Sequence, residues 1–241
     1  MIISRTPHRV SFLGGGTEFP DYIKEYGAVV LGTTINQYVY INARFLPPLF
    51  DYKTRLTYSI IEEVKSNNDI KHRAVKAILN KLNFDDPLSI QYESDLPKSG
   101  GTGSSSSFCV GIINALGALH GVRYSAEELA KKAIYIERDV LLERGGLQDQ
   151  YHAAYGGTNI INFNQDGRVE VQRLSLNREF RKVFENSFLL FHTGIDRLSG
   201  EVVKSYNTNI LERQHRIKQL ALEGIEALKK HGKNQNQDFW D

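Results

Sequence analysis

Residues 96–108 read LPKSGGTGSSSSF, with three glycines and five serines in the nine residues from Ser99 to Ser107. Such a composition belongs to flexible linkers, which bury nothing and stay solvated. The flanks argue against a linker. PLSIQYES (87–94) alternates as a strand does, and Phe108, Ile112, Ala115, Leu116 and Leu119 then recur at helical spacing up to the C-cap pair His120-Gly121. A glycine–serine turn between strand and helix has the make-up of an anion site. Glycines allow close backbone approach and positive φ, and a helix N-terminus offers unpaired N–H groups and a positive dipole end. Serine hydroxyls add donors and a hard oxygen ligand for Mg²⁺. No lysine follows the glycines, so this is not a Walker A loop, and the G-G-x-G spacing in mid-chain is not a dinucleotide fingerprint.

The rest of the chain sets this turn in a mixed fold. Its 241 residues are enough for one large or two small domains, with ordinary apolar (41%) and charged (24%) fractions. A net charge of +2 gives no basic stripe, so neither nucleic acid nor a membrane surface is indicated as partner. Cys109 is the single cysteine and fits a reducing compartment; with no apolar leader in MIISRTPHRV, the expected location is the cytoplasm. Strands are predicted up to Gly14-Gly15-Gly16, over VVLGTTINQYVYINARF, TRLTYS and PLSIQYES, in the hairpin TNIINF–NQDG–RVEVQRL, and at FLLFH (188–192) as a buried strand. Helices are expected at 70–82, after the glycine–serine turn, from the Ser125/Glu128 capping box to about Leu142, and over 199–230, with a disordered polar tail KNQNQDFWD. Strands and helices intersperse without regular alternation, which indicates α+β.

Two acids stand out. Glu137 lies three residues from Ile134 and Val140 and four from Ala133 and Leu141, inside the apolar stripe of its helix. A carboxylate facing the core needs a partner, either an arginine or a metal ion. Asp149 lies in GGLQDQYHAAYGG (145–157), where two glycine pairs frame a polar triplet; by itself it reads as a loop acid. His152 is a structural helix residue on this reading and is given no role.

LPKSGGTGSSSS resembles the second motif of the GHMP kinases, roughly P-x-x-x-G-L-G-S-S-A, with Pro97, Gly101, Gly103, Ser104 and Ser105 matching. Thr102 replaces the usual leucine and Ser106 the usual alanine. RTPHRVSFLGGGTEFPDY (5–22) resembles the first motif through Pro7, Arg9, Val10, Gly14 and Thr17, and the segment around Asp149 resembles G-x-x-D-[QN]. The resemblance implies a two-layer N-terminal domain over residues 1–182, with a ribosomal-protein-like fold. An incomplete α+β second domain over 183–241 would follow.

It also implies ATP and Mg²⁺, with Pro97, Gly100, Gly101, Thr102, Gly103, Ser104, Ser105 and Ser106 around the phosphates. Ser105 and Glu137 would hold the metal, and Asp149 would be the catalytic acid with Arg9 beside it. An arginine there favours the charged form of the acid and stabilises charge developing on the phosphoryl group; its plain alternative is a strand-end ion pair. Gly15, Gly16, Thr17, Glu18 and Asp21 would border the sugar, though both acids also read as exposed loop residues.

Taken together, GGGTEFPDY, GSSSS and GGLQDQY look most like the family members that phosphorylate the anomeric hydroxyl of D-glycero-D-manno-heptose 7-phosphate; fucokinase-like members share much of the pattern. Members also carry a third motif close to G-A-G-G-G-G, which nothing after Gly157 resembles. The expectation is a second domain that stops short, about 100 residues under an ordinary member. That leaves open an impaired nucleotide- or sugar-binding remnant, and an uncovered face on the 199–230 helix that invites a homodimer.

Overall fold

The computed structural model describes residues 1–97, 100–174, 178, 182–183, 186–191 and 209–233. In chain order its elements are β1 (Ile2–Leu13), α1 (Pro20–Tyr26), β2 (Ala28–Phe45), β3 (Thr54–Thr57), β4 (Ile61–Val64), α2 (Arg73–Lys81) and β5 (Leu88–Ser94). There follow α3 (Ser104–Leu119), α4 (Ala126–Ile134), a π-helical turn (Tyr135–Val140), α5 (Gln148–Tyr155), β6 (Thr158–Phe163), β7 (Val169–Arg173) and α6 (Ile210–Lys233).

The long strand β2 organises one seven-stranded mixed sheet. β1 runs antiparallel along one edge, from Ile2 opposite Ala43 to Leu13 opposite Leu31. On the other edge β5 pairs with the second half of β2 and β6 with the first, both antiparallel. β3 adds parallel to β5, β4 antiparallel to β3, and β7 antiparallel to β6. Regular alternation is absent and parallel and antiparallel pairs coexist, so the α+β reading holds.

The apolar run that opens β2 shows why the sheet has two covered faces. Alternate strand residues point to opposite sides. Ala28 and Val30 join Ile23, Ala130, Tyr151, Ile161 and Phe163 on one side, while Val29 and Leu31 join Ile160, Leu174, Ala221 and Ile225 on the other. α3, α4 and α5 pack on the first face, where Val39, Ile41, Leu56, Leu88 and Ile90 meet Ile112, Ile113 and Leu116 in the main core. α6 lies on the second face through Ala221 and Ile225, packed with Leu13 and Leu228.

Helix-end chemistry is legible at α4. The Ser125 hydroxyl accepts from the Glu128 N–H at 3.2 Å, and the Glu128 carboxylate accepts from the Ser125 N–H at 2.7 Å, completing the capping box. Ser125→Ala is expected to remove about 1 kcal/mol of stability, a fall of roughly 2–4 °C in Tm for a chain of this size. Thermal unfolding followed by circular dichroism checks this; an unchanged Tm counts against the cap.

Three expectations need correction. The helix from Ser125 does not run regularly to Leu142: it is α-helical to Ile134 and then widens into the π turn. Phe188–Phe191 is not a buried strand, for these residues carry no strand structure and Leu189 is 82% exposed. An apolar run makes a strand only where a sheet edge accepts it, and neither β4 nor β7, at the ends of the described strand order, does so. The C-terminal helix begins at Ile210 and passes through His231-Gly232 to Lys233. Its inner stripe, Ala221 and Ile225, is covered by the sheet, while Ile210, Leu211, Leu220 and Leu222 stay 40–51% exposed. His192, residues 199–208 of the expected helix, Lys98, Ser99 and the tail 234–241 lie outside the described residues. No described helix is long and apolar enough to cross a membrane.

Candidate active site

The glycine–serine turn delivers the N-terminus of α3 to the rim of the sheet. Gly103 is its N-cap, with φ 73° in the left-handed region and no side-chain cap. The N–H groups of the first turn, Ser104 to Ser106, have no partner within the helix and sit at the positive end of its dipole. Ser105 is exposed there, whereas Ser106 and Ser107 are buried beneath it. A side chain at Gly103 would meet Arg9 Cγ and Asp149 Oδ2, each 3.3 Å from an added Cβ. Glycine therefore serves twice, for the backbone angle and for contact with the pair below.

That pair joins β1 to α5. Arg9 Nε donates to Asp149 Oδ1 at 2.6 Å, and Nη2 stands in ion-pair contact with the same oxygen at 2.6 Å. A further 2.6 Å bond runs from Arg9 Nη1 to the Gly101 carbonyl, and the Arg9 backbone N–H donates to the Thr102 carbonyl at 3.0 Å. The arginine thus fixes the acid and the turn at once. Side-chain exposures of 13% for Arg9 and 25% for Asp149 leave the carboxylate reachable from outside. Asp149 stands on the first turn of α5, between the buried residues Gln148 and Gln150.

Glu137 closes the site from the π turn. The extra residue per turn in π geometry rotates a side chain off the regular helical stripe, and here both Ile136 and Glu137 are buried. No cation pairs with Glu137 among the described residues, so an arginine partner is not what holds it. Its oxygens accept from Ser105 Oγ at 3.0 Å, from Ser106 Oγ at 2.9 Å, and from the Gln150 amide. Burial pushes the carboxyl up to about 7, against the opposing pull of these hydrogen bonds. Ser106, where the related motif has alanine, is accounted for by its contact with both carboxylate oxygens.

The turn after β1 forms the remaining wall. Gly14 has φ 83°, and an added Cβ would sit 1.9 Å from the Val29 carbonyl oxygen, so only glycine is tolerated. Thr17 closes the turn with its N–H and hydroxyl on the Gly14 carbonyl, at 3.1 and 2.8 Å. Glu18 is not an exposed loop acid. It is buried, and its carboxylate accepts from the Gly16 N–H and from Gln148 Nε2, each at 2.7 Å. Burial raises its pKa. Glu18 thus clasps the glycine turn to the start of α5. The opposite side of the Gly16 peptide is held by Gln214 of α6, whose Nε2 donates to the Gly16 carbonyl at 2.8 Å. Asp21 lies apart, exposed on the first turn of α1, where a carboxylate suits the helix dipole.

Arg9, Asp149, Glu137 and the turn 100–106 therefore converge, with Gly15, Gly16, Thr17 and Glu18 on the adjoining wall; Pro97 is exposed, and Asp21 is not brought into the cluster. Sequence reasoning missed Gln150, Gln148 and Gln214. The first two had a signal in the polar triplet Gln148-Asp149-Gln150 between glycine pairs, whereas Gln214 is one polar residue in a long amphipathic helix. His152 is fully buried with neither ring nitrogen hydrogen-bonded; burial pushes it down to about 3, so the imidazole is neutral packing.

Comparison with known proteins identifies the family. Residues 68–157 match the family model described as GHMP kinases N terminal domain. The D-glycero-alpha-D-manno-heptose 7-phosphate kinase of Campylobacter jejuni is 33% identical over 241 residues, covering 94% of this chain and 71% of that protein. Among solved structures, a D-glycero-D-manno-heptose 1-phosphate kinase from Bacteroides thetaiotaomicron superposes with a TM-score of 0.74 at 24% identity, over 95% of this chain and 74% of that one. The mevalonate kinase of Methanococcus jannaschii gives 0.64 at 18% identity, over 93% and 72%. Those two likenesses speak for the fold, and the Campylobacter relative speaks for kinship: the chain belongs to the GHMP kinases and is a sugar kinase.

Proposed function

We propose that this chain transfers the γ-phosphoryl group of ATP to the anomeric hydroxyl of D-glycero-D-manno-heptose 7-phosphate. The product would lie on the way to nucleotide-activated heptoses for surface polysaccharides. The observation that carries the reading is the Arg9–Asp149 pair held at 2.6 Å against the N-terminus of α3. It puts a proton acceptor, a cation and a row of free N–H donors within one small volume. The sugar-phosphate class is supported by the Campylobacter relative, whose name states that substrate.

In this reading the first-turn N–H groups of α3 and the serine hydroxyls bind the triphosphate. Asp149 takes the proton of the sugar hydroxyl as that oxygen attacks the γ-phosphorus and ADP departs. The guanidinium of Arg9 orients the carboxylate and offsets charge on the transferring group. Ser105 and Glu137 suit Mg²⁺ because they offer hard oxygen donors 3.0 Å apart, one exposed and one a buried carboxylate paired with no cation among the described residues. Bound there, the ion would neutralise phosphate charge. Gly15, Gly16 and Thr17 would border the sugar, with Glu18 and Gln214 keeping that turn in shape.

Residues 1–182 would form the nucleotide- and sugar-binding domain and 183–241 part of a second, in a cytoplasmic enzyme. A coupled ADP-release assay with ATP, Mg²⁺ and heptose 7-phosphate should show turnover, with kcat/KM at least about 100-fold lower for heptose lacking the phosphate or for L-fucose. Equal rates on the three sugars would overturn the substrate; ATP binding without turnover on any would identify an impaired remnant.

A further inference from the structure

Three hydrogen-bonding side chains of β1 are buried along α3 and the turn before it: Ser4, Thr6 and His8. Ser4 Oγ donates to the Gly111 carbonyl at 2.8 Å, and an added Cβ at Gly111 would lie 2.8 Å from Thr6 Oγ1, so the helix rests directly on the strand. From the helix side Ser107 Oγ donates to the Pro7 carbonyl at 2.8 Å. The seam ends at His8, whose side chain is fully buried and joins three elements. Its Nε2 lies 3.2 Å from Ser94 Oγ at the end of β5, and its Nδ1 lies 3.1 Å from Thr102 Oγ1 in the glycine–serine turn. Opposite His8 the β1–β2 register is irregular, stepping from Pro7–Tyr38 to Arg9–Thr34.

The hydrogen-bond network dictates how the imidazole is used. Ser94 spends its hydroxyl hydrogen on the Leu96 carbonyl at 2.9 Å, so toward His8 it is an acceptor and Nε2 carries the hydrogen. In that tautomer Nδ1 accepts from Thr102 Oγ1, and the ring also lies against the Thr102 backbone. Both groups are buried and each is the other's partner. Backbone atoms on either side of this contact hold Arg9: the carbonyls of Gly101 and Thr102 accept from its side chain and its N–H.

We infer that His8 and Thr102 form one positioning unit, which sets the height of the phosphate-binding turn over Arg9 and so tunes ATP binding. The ATP half rests on the proposed function; the positioning half does not. His8 touches no reacting atom. It acts through Thr102, and this gives the threonine at that position a purpose: its hydroxyl answers the histidine beneath it.

The test uses His8→Leu, Thr102→Val, the double variant and His8→Asn, whose side-chain amide can reach the place of Nδ1. In the ligand-free protein, amide hydrogen exchange over residues 100–106 should quicken about 10-fold in either single variant, with β6 and β7 unaffected. The double variant should be no worse than the poorer single one, since removing both partners leaves no buried group unpaired. His8→Asn should stay within about 3-fold of wild type, which separates positioning from loss of packing. In kinetics, KM for ATP should rise about 10-fold while KM for the sugar phosphate is unmoved. Unchanged exchange in both single variants, or strictly additive effects in the double one, overturns the inference. Failure of the wild type to phosphorylate any sugar phosphate sinks the proposed function instead, and leaves the exchange result to decide this one.

Discussion

Asp149→Asn is expected to lower kcat by about 10³- to 10⁴-fold while KM for ATP stays within about 3-fold of wild type. Asparagine keeps the shape of aspartate and can still accept from Arg9 Nε, so the turn carried by Arg9 and Gly101 should hold its geometry. What disappears, on the proposed function, is the acceptor for the sugar hydroxyl proton. A loss of 10³–10⁴ corresponds to about 4–5.5 kcal/mol of transition-state stabilisation at 1.36 kcal/mol per decade. Removing a negative charge beside the phosphate cradle acts the other way on ground-state binding and makes it, if anything, tighter. The signature is a collapse in kcat without a rise in KM for ATP. Steady-state kinetics with the coupled ADP assay measures both, and calorimetry gives ATP affinity independently. A kcat within 10-fold of wild type would remove Asp149 from the chemistry.

How much of this could be read in the sequence depends on what carries the information. Local patterns read well: the alternation in β2 and β5, the capping box at Ser125, and the strand–turn–helix frame of the glycine–serine turn all rest on contacts within a few residues. Convergence of Arg9, Glu137 and Asp149 was legible only through motif order, because no local rule brings β1, the π turn and α5 together. The protein partners of Glu137 were not legible for a physical reason. An α-helical wheel shows that a carboxylate faces inward, but not that the helix widens into a π turn and presents it to two serines and a glutamine.

The burial of Glu18 was not legible either, since a GGGTEF segment carries no sign that Gln148, 130 positions away, will bury it. The Phe188–Phe191 run failed for a similar reason: hydrophobicity without a pairing edge does not make a strand. Gln214 gave no signal at all, because one amide in an amphipathic helix looks like solvent-facing decoration until the helix is docked.

The second large effect concerns Glu137, and it separates stability from activity. Its carboxyl is raised to about 7, chiefly by burial, from an ordinary value of 4.5. Between those two values the folded protein holds a proton that the unfolded chain has lost. The contribution to stability is therefore fully present below about 4.5 and is lost as pH rises through about 7. Glu137→Gln removes this titration. The new amide can still accept from Ser105 and Ser106, and Gln150, whose Oε1 has no partner in the described structure, can turn that oxygen to receive it. The variant should fold, show a flatter Tm between pH 5 and pH 8 than wild type, and be the more stable of the two at pH 8. Glu18, another carboxyl raised by burial, titrates in both proteins and cancels in the difference. Activity should move oppositely, with kcat/KM for Mg²⁺-ATP at least about 100-fold lower, because a neutral amide is a poor substitute for a carboxylate beside a cation and a triphosphate. Parallel Tm curves would show that Glu137 is not the buried titrating acid. Retained activity with a flattened curve would make it a structural acid alone. Both changes together would mean that the buried charge is kept for catalysis at a cost in stability, as sites built around a desolvated carboxylate require.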